Sequence, residues 1–398
     1  MTEFNQERLP WGRLTGIRPV KRANVFLHQG CTHLEAEQKF AQEFGADPER
    51  SRRAVDIACR ENRLLSQAYP DGISLYIGIP FCPSRCVYCS FISFSVERSA
   101  DLMEPYLAAL EQEIHAGAEI VRRIGKRIET VYIGGGTPTT LSARQMERLL
   151  QAVHREFDLS GCKEFTVEAG RPDTVTAEKL TVMKQWGVTR ISLNPQSMNQ
   201  EILDRIGRRH TPEDIIAAFA MARKAGFHHI NMDVIAGLPD ESYPMFCHTL
   251  QELFSLEPEG ITVHTMSVKR ASVLKQNQEE YDLTAREEVG KMLNYAWSEL
   301  EPRGYFPYYL YRQKYILGGY ENTGFAKPGK ECLYNIYIME ETQSILSLGA
   351  GGSTKIVEGD RIERIFNVKE PTEYIKRVDE MIARKQKIEA ILKGGDNR

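Results

Sequence analysis

Cys82, Cys86 and Cys89 fall in the run GIPFCPSRCVYCSF, directly after the strand-like segment ISLYIGI. The spacing Cys-x3-Cys-x2-Cys lets one short loop fold around a face of a single iron–sulfur cluster. A cubane of four irons is normally held by four thiolates, so a loop that supplies three leaves one iron open to chelate a small molecule. Pro83 stiffens the loop and Tyr88 offers an apolar cover. Two plainer readings compete: three inert thiols, or a zinc site. Zinc sites take four Cys or His ligands, usually as paired C-x2-C modules, and no second pair follows downstream.

A ligand loop needs elements to position it, and the chain around it alternates strand and helix. A strand from Ile73 to Ile79 leads into the cysteines, and a helix from Asp101 to Ile124 carries Leu102, Tyr106, Leu110 and Ile114 at helical spacing. Strand Thr130 to Gly135, helix Ser142 to Phe157 and strand Glu164 to Ala169 come next. Helix Ala177 to Trp186 then leads to strand RISLNPQS, helix Pro212 to Ala225 to strand HINMDVIAGLP, and helix Tyr243 to Leu253 to strand GITVHTMSV. Strands joined by helical crossings imply a parallel sheet curled into an open barrel. The expected architecture is α/β: a partial (β/α)6 barrel over residues 73–270, a helical cap at 1–72 and an α+β extension at 271–398 that covers substrate.

Chemistry in such barrels sits at the carboxyl ends of the strands, and here those ends carry unusual residues. The second strand ends in Gly134-Gly135-Gly136-Thr137-Pro138, where glycines admit close backbone approach to a ligand and Thr137 adds a hydroxyl. A bare tight turn explains such a run equally well. Glu168 ends the third strand, where a carboxylate can hold ribose hydroxyls or an ammonium. Gln196, at the end of the fourth, both donates and accepts. Arg208, in IGRRHT, can meet a carboxylate as a fork, and Asp233 faces the same end or serves as a turn partner.

Composition narrows the class. The chain has 398 residues, 42% hydrophobic and 26% charged, with a formal net charge of −3. It is long enough to bury a large core, and it lacks the basic field by which proteins coat nucleic acid. Five further cysteines (Cys31, Cys59, Cys162, Cys247, Cys332) have no paired spacing and read as reduced thiols. MTEFNQERLPWGR lacks an apolar signal region, and no apolar stretch approaches the roughly 20 residues that span a bilayer. The expectation is a cytoplasmic protein, not inserted in a membrane, whose partners are small molecules.

The loop CxxxCx(aromatic)C after a first strand resembles the signature of radical S-adenosylmethionine (SAM) enzymes. YIGIPFC, GGGTPT, Glu168, Gln196, GRRHT and DVIAGLP together resemble the oxygen-independent coproporphyrinogen III dehydrogenase family. PYYLYRQKYILGGYENTGFAKPGKECLYNIYIMEE and LPWGRLTGIRP are similar to its HemZ-like branch, so the resemblance covers nearly the whole chain. It implies a 4Fe-4S cluster on Cys82, Cys86 and Cys89. It also implies SAM contacts at Tyr76, Gly135, Gly136, Thr137, Glu168, Gln196, Arg208 and Asp233, and places Ser267 where another branch contacts a second SAM. The implied reaction uses a reduced cluster to cleave SAM. The resulting 5'-deoxyadenosyl radical takes hydrogen from a propionate β-carbon, and loss of an electron and carbon dioxide leaves a vinyl; two rounds give protoporphyrinogen IX. An electron donor such as flavodoxin or ferredoxin is implied as partner. One departure is visible: the best-studied branch has a fourth cysteine two residues after the third, whereas Cys89 is followed by Ser90 and Phe91. Related haem chaperones also lack that cysteine, but their HNxxYW motif is absent here. A haem carrier, or a radical enzyme acting on another tetrapyrrole, therefore stands beside the dehydrogenase.

A tetracarboxylate substrate needs cationic anchors, for which Arg171, Arg312, Lys314, Lys327 and Lys330 are the candidates, each competing with ordinary solvation. The tyrosine-rich run from Tyr305 to Tyr315 reads as a core-facing strand or a stacking surface. GGYENTGFAKPGKE reads as a lid or a connector, and LGAGGSTK as a turn or a substrate contact. Helices are expected from Glu35 to Phe44, from Pro48 to Leu65 and from Ala271 to Glu299, with ERSRR as a solvated face and a frayed end from Gln386.

Overall fold

The computed structural model describes residues 9–89, 94–269, 272–276, 279, 283–359 and 361–394. Ser90, Phe91 and Ala271 lie outside them. The six expected strands form in the expected order: β1 (Gly72–Ile79), β2 (Arg127–Gly135), β3 (Glu164–Glu168), β4 (Arg190–Gln196), β5 (Ile230–Ala236) and β6 (Gly260–Thr265). Each is parallel to the next. Their near-continuous burial reflects helices on the outer face and an inner face enclosed by the sheet.

The intervening helices begin where the sequence caps them. Ser142 accepts from Gln145 N and opens the helix Ala143–Glu156, and Thr211 does the same with Asp214 for the helix Pro212–Lys224. The helix Met103–Arg123 packs its Tyr106, Leu110 and Ile114 stripe inward, as the spacing predicts. At the amino end, helices Pro19–His28, His33–Phe44 and Pro48–Leu65 pack on one another.

The last third of the chain extends the same sheet. β7 (Phe306–Tyr311), β8 (Asn322–Ala326), β9 (Ile345–Leu348), β10 (Ser353–Glu358) and β11 (Arg361–Phe366) complete an 11-stranded sheet ordered β11-β10-β9-β1-β2-β3-β4-β5-β6-β8-β7. β9 runs parallel to β1, whereas β8 runs antiparallel to β6.

Several expectations are corrected here. The segment read as a lid contains β8, all five residues of which are buried and four of which pair with β6, so it is wall. LGAGGSTK links β9 to β10; a Cβ on Gly349 (φ +91°) would lie 2.5 Å from Gly78 O, so its glycine serves backbone packing against β1. The ERSRR run is solvated only at Glu49 and Arg52. Arg50 and Arg53 are buried, lying over the Tyr320 and Trp297 rings at 5.1 and 4.0 Å, because the helix Pro48–Leu65 packs on the barrel rather than facing water. Of the expected 271–299 helix, Val273–Gln276 and Arg286–Leu300 form. Of the end expected to fray, Gln386 to Arg398, residues Lys387–Gly394 form a helix anchored by the buried Ile388, and residues 395–398 lie outside the described residues.

Candidate active site

The cysteine loop leaves the carboxyl end of β1 and is held by the ends of its neighbours. Gly136 N donates to Ile79 O at 2.8 Å, and Thr137 N donates to Phe81 O at 2.7 Å. A Cβ on Gly136 would sit 2.6 Å from Phe81 O, and one on Gly135 (φ +110°) 3.2 Å from Ile79 N. These glycines therefore let two backbones meet: their close approach is to the cysteine loop itself. Thr137 Oγ1 lies 3.5 Å from Cys82 Sγ. From the other side, Val87 N donates to Ile206 O at 3.1 Å and Ser84 Oγ to Gly207 O at 3.2 Å. The buried Arg171 directs Nη1 at Cys86 Sγ (3.8 Å) and Nη2 at Ser84 Oγ (3.1 Å). None of the described cysteines is in a disulfide. Among the described residues, no three His, Cys, Asp or Glu side chains are grouped to hold a metal ion, so the ligand assignment rests on the loop's motif.

All eleven residues singled out for cluster and SAM line one chamber of about 640 Å³ at the carboxyl ends of the strands. Tyr76 stacks on Tyr132 and Tyr334, at 6.2 Å from each. Glu168 accepts a 2.6 Å hydrogen bond from Tyr132. Burial pushes its carboxyl up to about 7, opposed by the Tyr132 hydroxyl and the Gly135 N–H. Asp233 behaves oppositely. Burial would raise it, but His264, Asn231 and Thr262 together hold it below the usual carboxylate range. Gln196 has φ +70°, and its Oε1 is buried without a hydrogen-bond partner. Arg208 donates to Asn194 O and, at 3.4 Å, to Gly170 O, while its buried Nε has no partner.

The proposed anchors scatter. Arg171 lines the chamber, but it is ion-paired to Asp173 (3.2 Å) and turned to the cysteine loop. Arg312 is bound to Leu14 O at 2.6 Å and does not reach the chamber, and Lys314 contributes its carbonyl rather than its charge. Lys327 and Lys330 lie at the opposite end of the barrel, next to Glu257 O and His228 O, because antiparallel β8 carries the chain down to the start of β6. Ser267 lines the chamber and donates to Lys314 O at 3.0 Å.

The sequence does not single out Tyr132, His264 or Lys269, which also line the chamber, and from the tyrosine-rich run Tyr309, Tyr311 and Gln313 reach it. The period of two was the available signal: Tyr132 shares a face with Gly134, and His264 with Thr262.

The donor set fits a cluster with SAM. Three thiols line one wall, a guanidinium stands beside one sulfur, and Gln196 and Arg208 keep polar atoms without partners. A family model described as the radical SAM superfamily matches residues 76–253. Barrel, loop and match together define a radical SAM protein, a class whose members bind a 4Fe-4S cluster and SAM. The chain is 41% identical over 374 residues to the oxygen-independent coproporphyrinogen-III oxidase-like protein HemZ of Bacillus subtilis, covering 93% of this chain and 75% of that protein. It is 32% identical over 282 residues to the heme chaperone HemW of the same organism, covering 70% and 69%. The solved structure of coproporphyrinogen III oxidase HemN from Escherichia coli matches with a TM-score of 0.64 and 25% identity, over 82% of this chain and 73% of that one. The chain belongs to this HemN, HemZ and HemW family of radical SAM proteins.

Proposed function

We propose that the protein is a SAM-dependent coproporphyrinogen III dehydrogenase, converting two propionates to vinyls without oxygen. The observation that carries this reading is the chamber: every residue nominated for cluster and SAM lines it, and its β6–β7 side adds the polar residues Lys269, Tyr311 and Gln313, which neither cluster nor SAM claims. Similarity to HemZ along 93% of the chain supports a tetrapyrrole as that molecule. In this reading residues 1–72 cap the barrel, 73–270 form the catalytic unit and 271–398 cover the substrate.

When bound, the cluster and SAM supply a one-electron route to hydrogen abstraction. The chain's own residues position and enclose. Cys82, Cys86 and Cys89 hold the cluster, with Thr137 and Arg171 fixing the loop from either side. Tyr76, Gly135, Gly136 and Thr137 border the site for the methionine part of SAM, Arg208 takes its carboxylate, and Glu168, Gln196 and Asp233 take hydroxyl and amino groups. The substrate β-carbon gives up a hydrogen atom; loss of one electron to an external acceptor and of carbon dioxide then leaves the vinyl. Hydrogen leaves as an atom, so no general base is required of the chamber, and walls of tyrosine exclude water.

A second reading, a haem carrier, is favoured by Ser90 and Phe91 after Cys89 and by the likeness to HemW. An anaerobic assay of reconstituted protein with SAM, reductant, electron acceptor and coproporphyrinogen III separates the two. The dehydrogenase loses two carboxylates stepwise, with matching 5'-deoxyadenosine by mass spectrometry. Stable stoichiometric haem binding with untouched porphyrinogen would sink it and favour the carrier, and consumption of haem would favour an enzyme acting on another tetrapyrrole.

A further inference from the structure

The chamber has two unlike sides. β1 to β4 and the segments that follow them carry ten of the eleven nominated residues, with Asp233 on β5 the exception, whereas the loops after β6 and β7 carry none. That second side is nevertheless built with care. Ser267 Oγ and Lys269 Nζ both donate to Lys314 O, at 3.0 and 3.3 Å. Val268 N donates to Tyr315 O at 3.1 Å and Leu317 N to Met266 O at 2.9 Å, with Tyr315 in the left-handed region at φ +64°. A non-glycine residue held there implies a rim whose shape is imposed by its surroundings. Lys269 lines the chamber with no carboxylate within 4.0 Å among the described residues; its one fixed contact is that carbonyl. Beside it, Gln313 Nε2 donates to Tyr311 OH at 3.2 Å, and Tyr311 OH meets His264 Nδ1 at 3.5 Å. Asp233, the carboxylate of this wall, is occupied by Asn231 at 2.7 Å and faces His264 Nε2 at 3.6 Å. An uncompensated cation and clustered donors facing a cavity are what an anionic ligand requires.

We infer that this wall is a carboxylate-binding edge for the substrate, with Lys269 as its charged anchor and Tyr311, held by Gln313, as a neutral donor. The inference rests on the tetrapyrrole reading and replaces the scattered anchors Arg312, Lys314, Lys327 and Lys330. The test is anaerobic fluorescence titration of the full, reconstituted chain with coproporphyrin III, the oxidised tetracarboxylate stand-in for porphyrinogen. Lys269→Met weakens binding about tenfold and Tyr311→Phe about threefold, while Lys269→Arg restores most of the affinity. Lys327→Met, at the far end, leaves it unchanged, and SAM cleavage without substrate persists in all four variants. Affinity within about twofold of the parent in Lys269→Met overturns the assignment, returning Lys269 to an ordinary solvated lysine. Loss of SAM affinity with porphyrin affinity intact also overturns it, marking the wall as a second cofactor site. If the parent binds no tetracarboxylate porphyrin, the tetrapyrrole reading itself fails and the anchor with it.

Discussion

Buried polar groups at the two ends of the barrel differ in how fully they are partnered. At the amino ends of the strands Glu129, Glu164 and Glu259 are well supplied with donors, although Arg190 Nε, at the start of β4 and lining the chamber, has no partner. Glu129, fully buried, accepts from Lys163 Nζ (2.6 Å), Gln343 Nε2 (2.6 Å), Tyr337 OH (3.0 Å) and Tyr69 N. Glu164 accepts from Leu333 N at 2.8 Å, and Glu259 takes both Arg223 Nη atoms at 2.9 Å. At the carboxyl ends the chain leaves Gln196 Oε1 and Arg208 Nε without partners and twists Gln196 to positive φ. Saturation marks groups that stitch the sheet to its extensions, and spare capacity marks groups held for something else. Glu129 is fully buried and Glu168 half-buried, and their partners differ as well: four donors surround the first, whereas the second faces the chamber.

The largest effects should fall at the two extremes of that contrast. Replacing Cys82, Cys86 or Cys89 by Ala should remove iron, the broad visible absorption and all SAM cleavage from reconstituted protein, whereas Cys162→Ala and Cys247→Ala should keep all three. Iron retained in a single-cysteine variant would remove the functional half of the comparison. At the other end, Glu129→Ala takes the acceptor from the Tyr337 hydroxyl and the Gln343 amide and leaves Lys163 Nζ with only Gln67 O. Urea unfolding should show a loss of about 3–5 kcal/mol, with SAM affinity unchanged in the protein that remains folded. Little loss of stability would mean that saturation at this end is incidental.

Glu168 sharpens the contrast because function and stability pull against each other there. Its carboxyl stands at about 7 in the fold against an ordinary 4.5, through burial. Below pH 4.5 folded and unfolded chains are both protonated at this site. Between 4.5 and 7 the unfolded chain ionises first and binds fewer protons, so this group's contribution to stability falls as pH rises and then levels off above 7. Its remaining accessible surface opens onto the chamber, where water softens the penalty. Glu168→Gln should therefore make cofactor-free protein more stable at pH 8 by roughly 1–3 kcal/mol, with no gain at pH 4. The same change should weaken SAM binding and remove its rise with pH near 7. A stability gain independent of pH would show that the carboxylate is not the source.

How much of this was legible in the sequence follows from what each feature depends on. The strands β1 to β6 repeat a local pattern of apolar runs broken by capped helices, and each motif sits at a strand end, so alternation alone carries them to one rim. β8 was read as a loop because Asn322-Thr323-Gly324-Phe325-Ala326 has neither alternation nor β-branched density; its burial comes from β6 and β7 on either side. That misreading moved Lys327 and Lys330 to the wrong end, since a single antiparallel reversal separates them from the chamber. The Glu129 clamp was invisible because its donors come from residues 69, 163, 337 and 343, and nothing local records such a meeting. Arg50 and Arg53 were read as solvated for the same reason: their aromatic partners lie about 250 residues away in the chain.

The smallest effect belongs to Gln196, where the contrast can be tested within one residue. Its φ of +70° costs an ordinary side chain about 1–2 kcal/mol relative to the right-handed region, a cost that glycine does not bear. Its buried Oε1 adds a desolvation cost with no bond in return. A residue kept solely for the fold would have been better as glycine. Gln196→Gly should accordingly raise stability by about 1 kcal/mol in urea, a gain limited by the extra freedom glycine has in the unfolded chain. SAM affinity should drop about tenfold in the same protein, since an amide that can both donate and accept has gone. Gln196→Ala separates the two contributions: it keeps the backbone strain and loses the amide, so it should weaken SAM binding without the full gain in stability. If the glycine variant is less stable than the parent, the amide is making a structural bond, and Gln196 belongs with Glu129 among the groups that hold the barrel together.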